Sequence, residues 1–506
     1  MCRGQDDGFD LFFVSSTSEV DDYPIQFTDP LPKWLRGTLI RNGLGRFEIG
    51  KRNFTHTFDG FAKLHSWKFV GNGSASFSAK FLYSDFYRDS VSRNDIAPYL
   101  LFQTVTPAFN EFQKLESLVR GIDNMNVNVY QFKNESTSEY FVFSDYWKMY
   151  EINGINLATK RSVTPPVPAP SIGTKWHPAA PPMGGGFGFL SFLSSAHPLP
   201  EYGTSNFLTF LSSISLVPGI KNRMSLIRII SGEKREAIAS WEVDRVAYMH
   251  SFSATQNYAA LFAMPFYVNV EKMVLTAEPF DSLDWYDNAN TTIYLVHLKT
   301  GHVTKHTTEN LFTMHHITST PSKQTPLRSS SICPHLELKI LRDPVRRNQF
   351  PAHALLKRFY IDLVTGNVDV TLFNASPVYP YANMLDMPAI NEKYRYKDYR
   401  HIYGLVLKTN DVNLDQIALV KKDLYNSSND KAWSEGHCYP VEAWFVPRPG
   451  GQKEDDGLLL VPVLDGIHRK SYLAIINATT MATVNTADLP FVIPYGLHGR
   501  FFADLF

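Results

Sequence analysis

His197, His250, His315 and His498 each stand in a short segment rich in small, apolar or aromatic residues: SSAHPLPEYGTSN, AYMHSFSATQNY, LFTMHHITS and PYGLHGRFF. Brought together, four neutral imidazoles make a site for a borderline transition ion such as iron, zinc, copper or nickel. The intervals between them, 53, 65 and 183 residues, exclude a local finger and an H-E-x-x-H helix, so the ligands must converge from separate elements. Two other histidines compete. His316 adjoins His315, and on a strand the two would face opposite sides. His177 in TKWHPAAPP, like His197, precedes a proline.

Imidazoles bring no negative charge, so a divalent cation among them keeps its full charge. Burying that charge costs free energy unless carboxylates stand behind the rings. Acids in β-rich, apolar surroundings are the candidates: Glu454 in KEDDGLLLVPV, Asp145 in FVFSDYWKMY and Asp386 in NMLDMPAIN.

The elements that must position these residues are short β-rich runs separated by turn residues, as in TTIYLVHL-KTG-HVTKHTT, FYIDLV-TGN-VDVTLF and YFVFSDYWKMYEI-NG-INLATK. Such runs read as hairpins. DSVSRNDIAPYLLF and FNEFQKLESLVRG are each expected to form a short helix, and no long stretch holds a helical period. Many hairpins, 14% aromatic residues and no linker favour one large all-β unit over residues 22–506, with 1–21 as an N-terminal extension. A closed propeller suits this length, because its inner strands can each offer a side chain to a central channel. The sequence has no strict repeat from which to count blades.

Composition removes several function classes. The 49 basic side chains balance 49 acidic ones, which removes the electrostatic case for nucleic acid or for tight adsorption to anionic lipid. Cys2, Cys333 and Cys438 have neither paired metal spacing nor an even count, so a disulfide framework and a thiolate zinc site are both disfavoured. MCRGQDDGFDLFF places charges where a signal peptide needs an apolar core, and the uncharged stretches at 176–200 and 202–220 are broken by proline and glycine. A cytoplasmic protein without a membrane span is expected. APYLLFQTVTPAF, FGFLSFL, FLTFLSSISLVPGI and FAMPFYVNV concentrate apolar residues and suggest a rim that leans peripherally on a membrane.

In sequence and order, the four histidine segments resemble the metal-binding stretches of the carotenoid cleavage oxygenases, and the resemblance runs from about residue 22 onward. RGTLIRNGLGRFEIG, THTFDGFAKLHSWKF and DNMNVNVYQF are similar to other family stretches; there His56, His65, Asp123 and Asn128 are expected to be structural. The A-H-P…G-T-x-x-N pattern selects His197, and the family's order selects His315. The resemblance implies a seven-bladed β-propeller capped by helices and loops over the metal face, with Fe(2+) held by His197, His250, His315 and His498. It also implies that Glu454, the first acid of E-D-D-G, hydrogen-bonds a metal histidine. Asp145 and Asp386 stand where relatives carry glutamate, and their shorter reach leaves room for a bridging water. The Pro/Gly-rich 163–190 stretch departs from the relatives and reads as an insertion or lid.

The activity implied is cleavage of a carotenoid double bond with O2 to give two carbonyl products, with β-carotene to retinal leading. Eccentric (9,10-type) cleavage, retinyl ester isomerohydrolysis as in another branch of the family, and a non-enzymatic carotenoid-binding propeller are the alternatives. The P-D-P-C-K stretch of vertebrate relatives is replaced here by PAFNEFQKL. Phe252, Tyr258 and Phe501 flank the ligands and could steady a developing polyene cation or serve as packing.

Overall fold

Valine, isoleucine, threonine and aromatic residues alternate between turn residues along most of this chain, a pattern that suits half-buried strands. The computed structural model describes residues 7–71, 73–133, 137–167, 189–215, 219–311, 325–328, 342, 355–374, 385–407 and 417–506. In it these runs pair as a succession of antiparallel sheets. The first places Val20–Ile25, Ala75–Phe81, Phe61–Val70, Arg36–Arg46 and Gly496–Phe502 side by side. The strand Gly496–Phe502 thus pairs with one met almost at the start of the chain, with Leu39 opposite Phe501 and Arg41 opposite Gly499.

The next sheets follow in chain order. Thr159–Val163, Met149–Ile152, Ser138–Phe143 and Asn128–Lys133 form one. Phe189–Ser194, Phe207–Ser215, Asn222–Ile229 and Arg235–Val243 form another, and Ser253–Ala254, Tyr258–Ala263, Thr291–His297 and Val303–Thr308 a third. Later sheets run through Leu356–Ile361, then Asp386–Ala389 to Lys431–Trp433, then Cys438–Pro440 to Thr483–Asp488. Gly496–Phe502 lies against both Asn128–Lys133 and Trp444–Pro447, so one edge of each of three sheets meets in the interior.

The turn chemistry is local. Gly301, between Thr291–His297 and Val303–Thr308, has φ 69°, and a Cβ there would stand 2.5 Å from the Ile238 carbonyl oxygen. Only glycine satisfies both constraints. The expected run YFVFSDYWKMYEI is not one strand. It breaks between Phe143 and Met149, and Asp145 lies in the break.

Among the described residues there are three α-helices: α1 (Asp85–Arg93), α2 (Glu111–Arg120) and α3 (Val270–Thr276). Helix α2 falls within its expected segment, whereas α1 starts four residues before DSVSRNDIAPYLLF and stops at Arg93, where Asn94 caps it in the left-handed conformation. Ser84 caps α1 by accepting the Tyr87 N–H at 3.2 Å, and Asn110 and Gln113 form a reciprocal capping box at the start of α2. The short α3 carries no periodic signal that would reveal it, and Asn269 caps it. None of these helices is long and apolar enough to cross a membrane.

The largest apolar cluster gathers Phe47, Phe61, Phe86, Tyr403, Leu459 and Tyr439. Phe9, Phe12 and Phe13 join it, and the Tyr495 N–H donates to the Phe12 carbonyl at 2.9 Å. Part of the 1–21 segment, expected as an extension, therefore contributes three buried rings to the core.

Candidate metal centre

His197 and His250, in loops that follow the strand Phe189–Ser194 and precede the strand Ser253–Ala254, meet His498 of the strand Gly496–Phe502, with their ligand nitrogens all within 4.8 Å of one another. His250 and His498 are buried and His197 is half-buried. Each ring is fixed by its own local device. His197 follows the strand Phe189–Ser194, and its backbone N–H donates to Ser195 Oγ at 3.0 Å. That hydroxyl in turn donates to the His250 carbonyl at 2.8 Å, which ties the two loops together. His498 lies within Gly496–Phe502 and donates its backbone N–H to the Val127 carbonyl at 3.2 Å.

Carboxylates stand behind two of the rings. Asp145 Oδ2 lies 2.6 Å from His250 Nδ1, a direct contact rather than one through water. The same oxygen accepts the Tyr248 hydroxyl at 2.9 Å, while Oδ1 accepts the Ala196 N–H at 3.0 Å. The break after Phe143 carries Asp145 off the strand and toward the ring, so backbone displacement supplies the reach that the shorter side chain lacks. Its own carbonyl accepts the Ser194 N–H at 3.1 Å, which holds the break against the segment leading to His197.

Behind His498 stands Glu442, with Oε1 2.8 Å from Nδ1. Arg41, 1% exposed, donates through Nη1 to the Glu442 carbonyl at 2.8 Å and through Nη2 to the Leu497 carbonyl at 2.9 Å. Burial pulls the Arg41 guanidinium below its ordinary pKa, and the Glu442 carboxylate opposes that pull. Against an ionised carboxylate, an imidazole Nδ1 carries the proton, so Nε2 presents its lone pair inward.

Glu454, expected behind a metal histidine, serves elsewhere. Its oxygens accept the backbone N–H of Arg400 at 3.0 and 2.8 Å and of His401 at 2.7 Å. Burial raises its carboxyl above the ordinary range despite these donors. It is a loop anchor, and Glu442, twelve positions earlier in sequence, is the acid at the ring. Asp386 Oδ1 accepts the Met387 N–H at 2.8 Å where the strand Asp386–Ala389 begins. His315, His316 and His177 lie outside the described residues.

Asn128, expected to be structural, places its amide nitrogen 3.5 Å from His197 Nδ1, at the limit of hydrogen-bond range. Phe252 lines the cavity beside the rings, whereas Tyr258 packs on His297 at 5.0 Å and Phe501 on Phe69 at 6.3 Å. His56 and His65 are buried within the fold.

The donor set suits a divalent transition ion. His197 Nε2 and His250 Nε2 are 2.8 Å apart. Two imidazole nitrogens, each about 2.0–2.1 Å from one ion and at right angles, stand about 2.9 Å apart. Carboxylates on Nδ1 of two rings supply the charge compensation that a buried dication requires.

Comparison with known proteins matches this geometry to a family. Residues 13–503 match the family model described as retinal pigment epithelial membrane protein. The chain is 24% identical to human beta,beta-carotene 15,15'-dioxygenase, over 98% of this chain and 95% of that one. It is 26% identical to the mitochondrial carotenoid-cleaving dioxygenase of Pongo abelii, over 93% of this chain and 90% of that one. A solved cobalt-substituted apocarotenoid oxygenase from Synechocystis superposes with a TM-score of 0.78 at 22% identity, covering 98% of both chains. The mostly β architecture is therefore that of the carotenoid oxygenase propellers. With a match across nearly its whole length, the chain belongs to the retinal pigment epithelial membrane protein family, the carotenoid cleavage oxygenases.

Proposed function

We propose that this protein is an Fe(2+)-dependent dioxygenase that cleaves a carotenoid double bond with O2, with β-carotene to retinal as the leading reaction. The observation that carries this reading is the meeting of His197, His250 and His498 from two loops and a strand far apart in sequence, two of them with a carboxylate on Nδ1. His315 is the fourth ligand in this reading, and Asp386 is the acid assigned to it. The succession of sheets is read as a seven-bladed propeller, with α1, α2 and α3 contributing to a cap over the metal face.

Iron held by these imidazoles supplies the electron density that O2 needs to react with a closed-shell polyene. Asp145 and Glu442 keep the Nδ1 protons of His250 and His498 in place, so that both Nε2 lone pairs face inward. Tyr248 and Ala196 hold Asp145, and Arg41 holds Glu442, so neither carboxylate needs to move during turnover. In the net reaction the carbon–carbon double bond breaks and each carbon keeps one oxygen atom. The polyene supplies all four electrons, and no external reductant enters. Relatives named for this cleavage, similar over nearly their whole length, support the substrate class.

The cap residues support peripheral membrane contact, through which an apolar polyene would enter without crossing water. Phe112, Leu115 and Val119 on α2 are 86%, 62% and 81% exposed, and Leu275 on α3 is 72% exposed. Lys114 of α2 and Thr276 of α3 line one shallow cavity, so the two helices neighbour each other. A cytoplasmic protein that leans on a bilayer is the location this reading implies.

The test is incubation of the iron-loaded full chain with β-carotene in detergent under labelled O2, with products identified by chromatography and mass spectrometry. Retinal carrying the label is the expected outcome. Longer apocarotenals would move the assignment to eccentric cleavage, and no product from β-carotene, with conversion of a retinyl ester supplied in a parallel incubation, would replace it by isomerohydrolysis.

A further inference from the structure

His197 and His498 line one side of a cavity of about 90 Å³ that extends along Gly496–Phe502 to Arg500. His498 and Arg500 are two apart on that strand, and Asn128 and Tyr130 two apart on its neighbour, so each pair shares a face. Two residues of strand span about 7 Å, which puts Arg500 and Tyr130 one step deeper than the rings.

The charged groups around this cavity are unevenly paired. Glu392 gives both oxygens to Arg395, at 2.6 Å to Nε and 2.6 Å to Nη2. Burial alone would raise the Glu392 carboxyl, and Arg395 outweighs that and holds it below the ordinary range. Glu442 is engaged by His498 and Arg41. Among the described residues Arg500 has no carboxylate in direct contact, although it donates to the Tyr130 hydroxyl and lies in the field of Glu392. It forms no ion pair among the described residues, and its buried Nε has no hydrogen-bond partner there. Its guanidinium lies 4.0 Å from the centre of the Tyr130 ring and 5.6 Å from that of Trp444, which fixes its plane.

We propose that Arg500 is the anchor of a small-anion site in this cavity, one that takes a planar carboxylate or carbonate of the size of formate or bicarbonate. A guanidinium clamped between two aromatic faces keeps its donor edge in a fixed plane, and that edge matches the two oxygens of a carboxylate. The site needs no metal, and it stands or falls independently of the iron reading.

The test uses formate and the full chain, both after chelation and after metal loading, with binding followed by saturation-transfer NMR. Binding should be present in both forms. It should weaken about tenfold or more in R500Q, the loss expected of a charge-assisted contact. R500K, which keeps the charge without the two-pronged geometry, should fall between them. Unchanged binding in R500Q, or binding confined to the metal-loaded protein, would overturn the proposal. Wild-type crystals soaked in bromide give a check that needs no variant. An anomalous peak beside the Arg500 guanidinium supports the site, and a cavity holding water only overturns it.

Discussion

Asp145 and Glu442 solve the same electrostatic problem by different routes. Asp145 is a short acid that reaches its ring because the chain leaves the sheet at that point, and Tyr248 and Ala196 share its oxygens. Glu442 is a longer acid held by a fully buried arginine. E442Q should lower metal affinity by about 10- to 100-fold, the usual cost of losing a carboxylate behind a metal histidine. E454Q should leave metal content near wild type, because among the described residues the Glu454 carboxylate accepts only from backbone N–H groups. Metal analysis of the two purified variants decides between the acids, and loss of metal in E454Q alone would reverse the assignment. His197, His250 and His498 could be picked out because each stands in a compact, apolar segment. The acid was misread because E-D-D-G is the more conspicuous motif, although Glu442 in PVEAWFVP meets the same criterion of an acid among apolar residues. Arg41 gave no signal, since its partners lie some four hundred positions away in sequence.

At the scale of elements, hairpins and helix α2 follow from local chemistry and could be read directly, whereas α1 was expected four residues too late. The break at Asp145 could not be, because SDYWK continues the β-like composition on both sides. What ends the strand is tertiary: Asp145 binds the segment before His197 and the ring of His250. Helix α2 poses the opposite case, since its local pattern is clear but its apolar side faces solvent at Phe112, Leu115 and Val119. A free helix face of this kind is expected to insert shallowly into a bilayer. F112S combined with V119S should reduce co-sedimentation with phosphatidylcholine vesicles several-fold while leaving the fold intact, since neither side chain is buried. Unchanged sedimentation would remove α2 from the membrane contact.

For the whole molecule, the mostly β class was legible, while the number of sheets was not, because no strict repeat marks them. The sheet that holds Arg36–Arg46 is completed by Gly496–Phe502, a pairing across most of the chain that local patterns do not encode. An ion held by His197, His250 and His498 would cross-link three segments far apart in sequence, so it binds the folded chain and not the unfolded one. Chelation should therefore lower the melting temperature, and readdition of ferrous ion should restore it, by about 4 kcal/mol of stability at a thousandfold excess over the dissociation constant. Identical melts with and without metal would mean that the rings hold no ion. The late strand also sets a timetable. During synthesis at about 5–20 residues per second, His498 follows His250 by roughly 250 residues, an interval of some 12–50 s. A nascent chain thus has no complete set of these rings, and loading waits for the strand that joins the two ends of the fold.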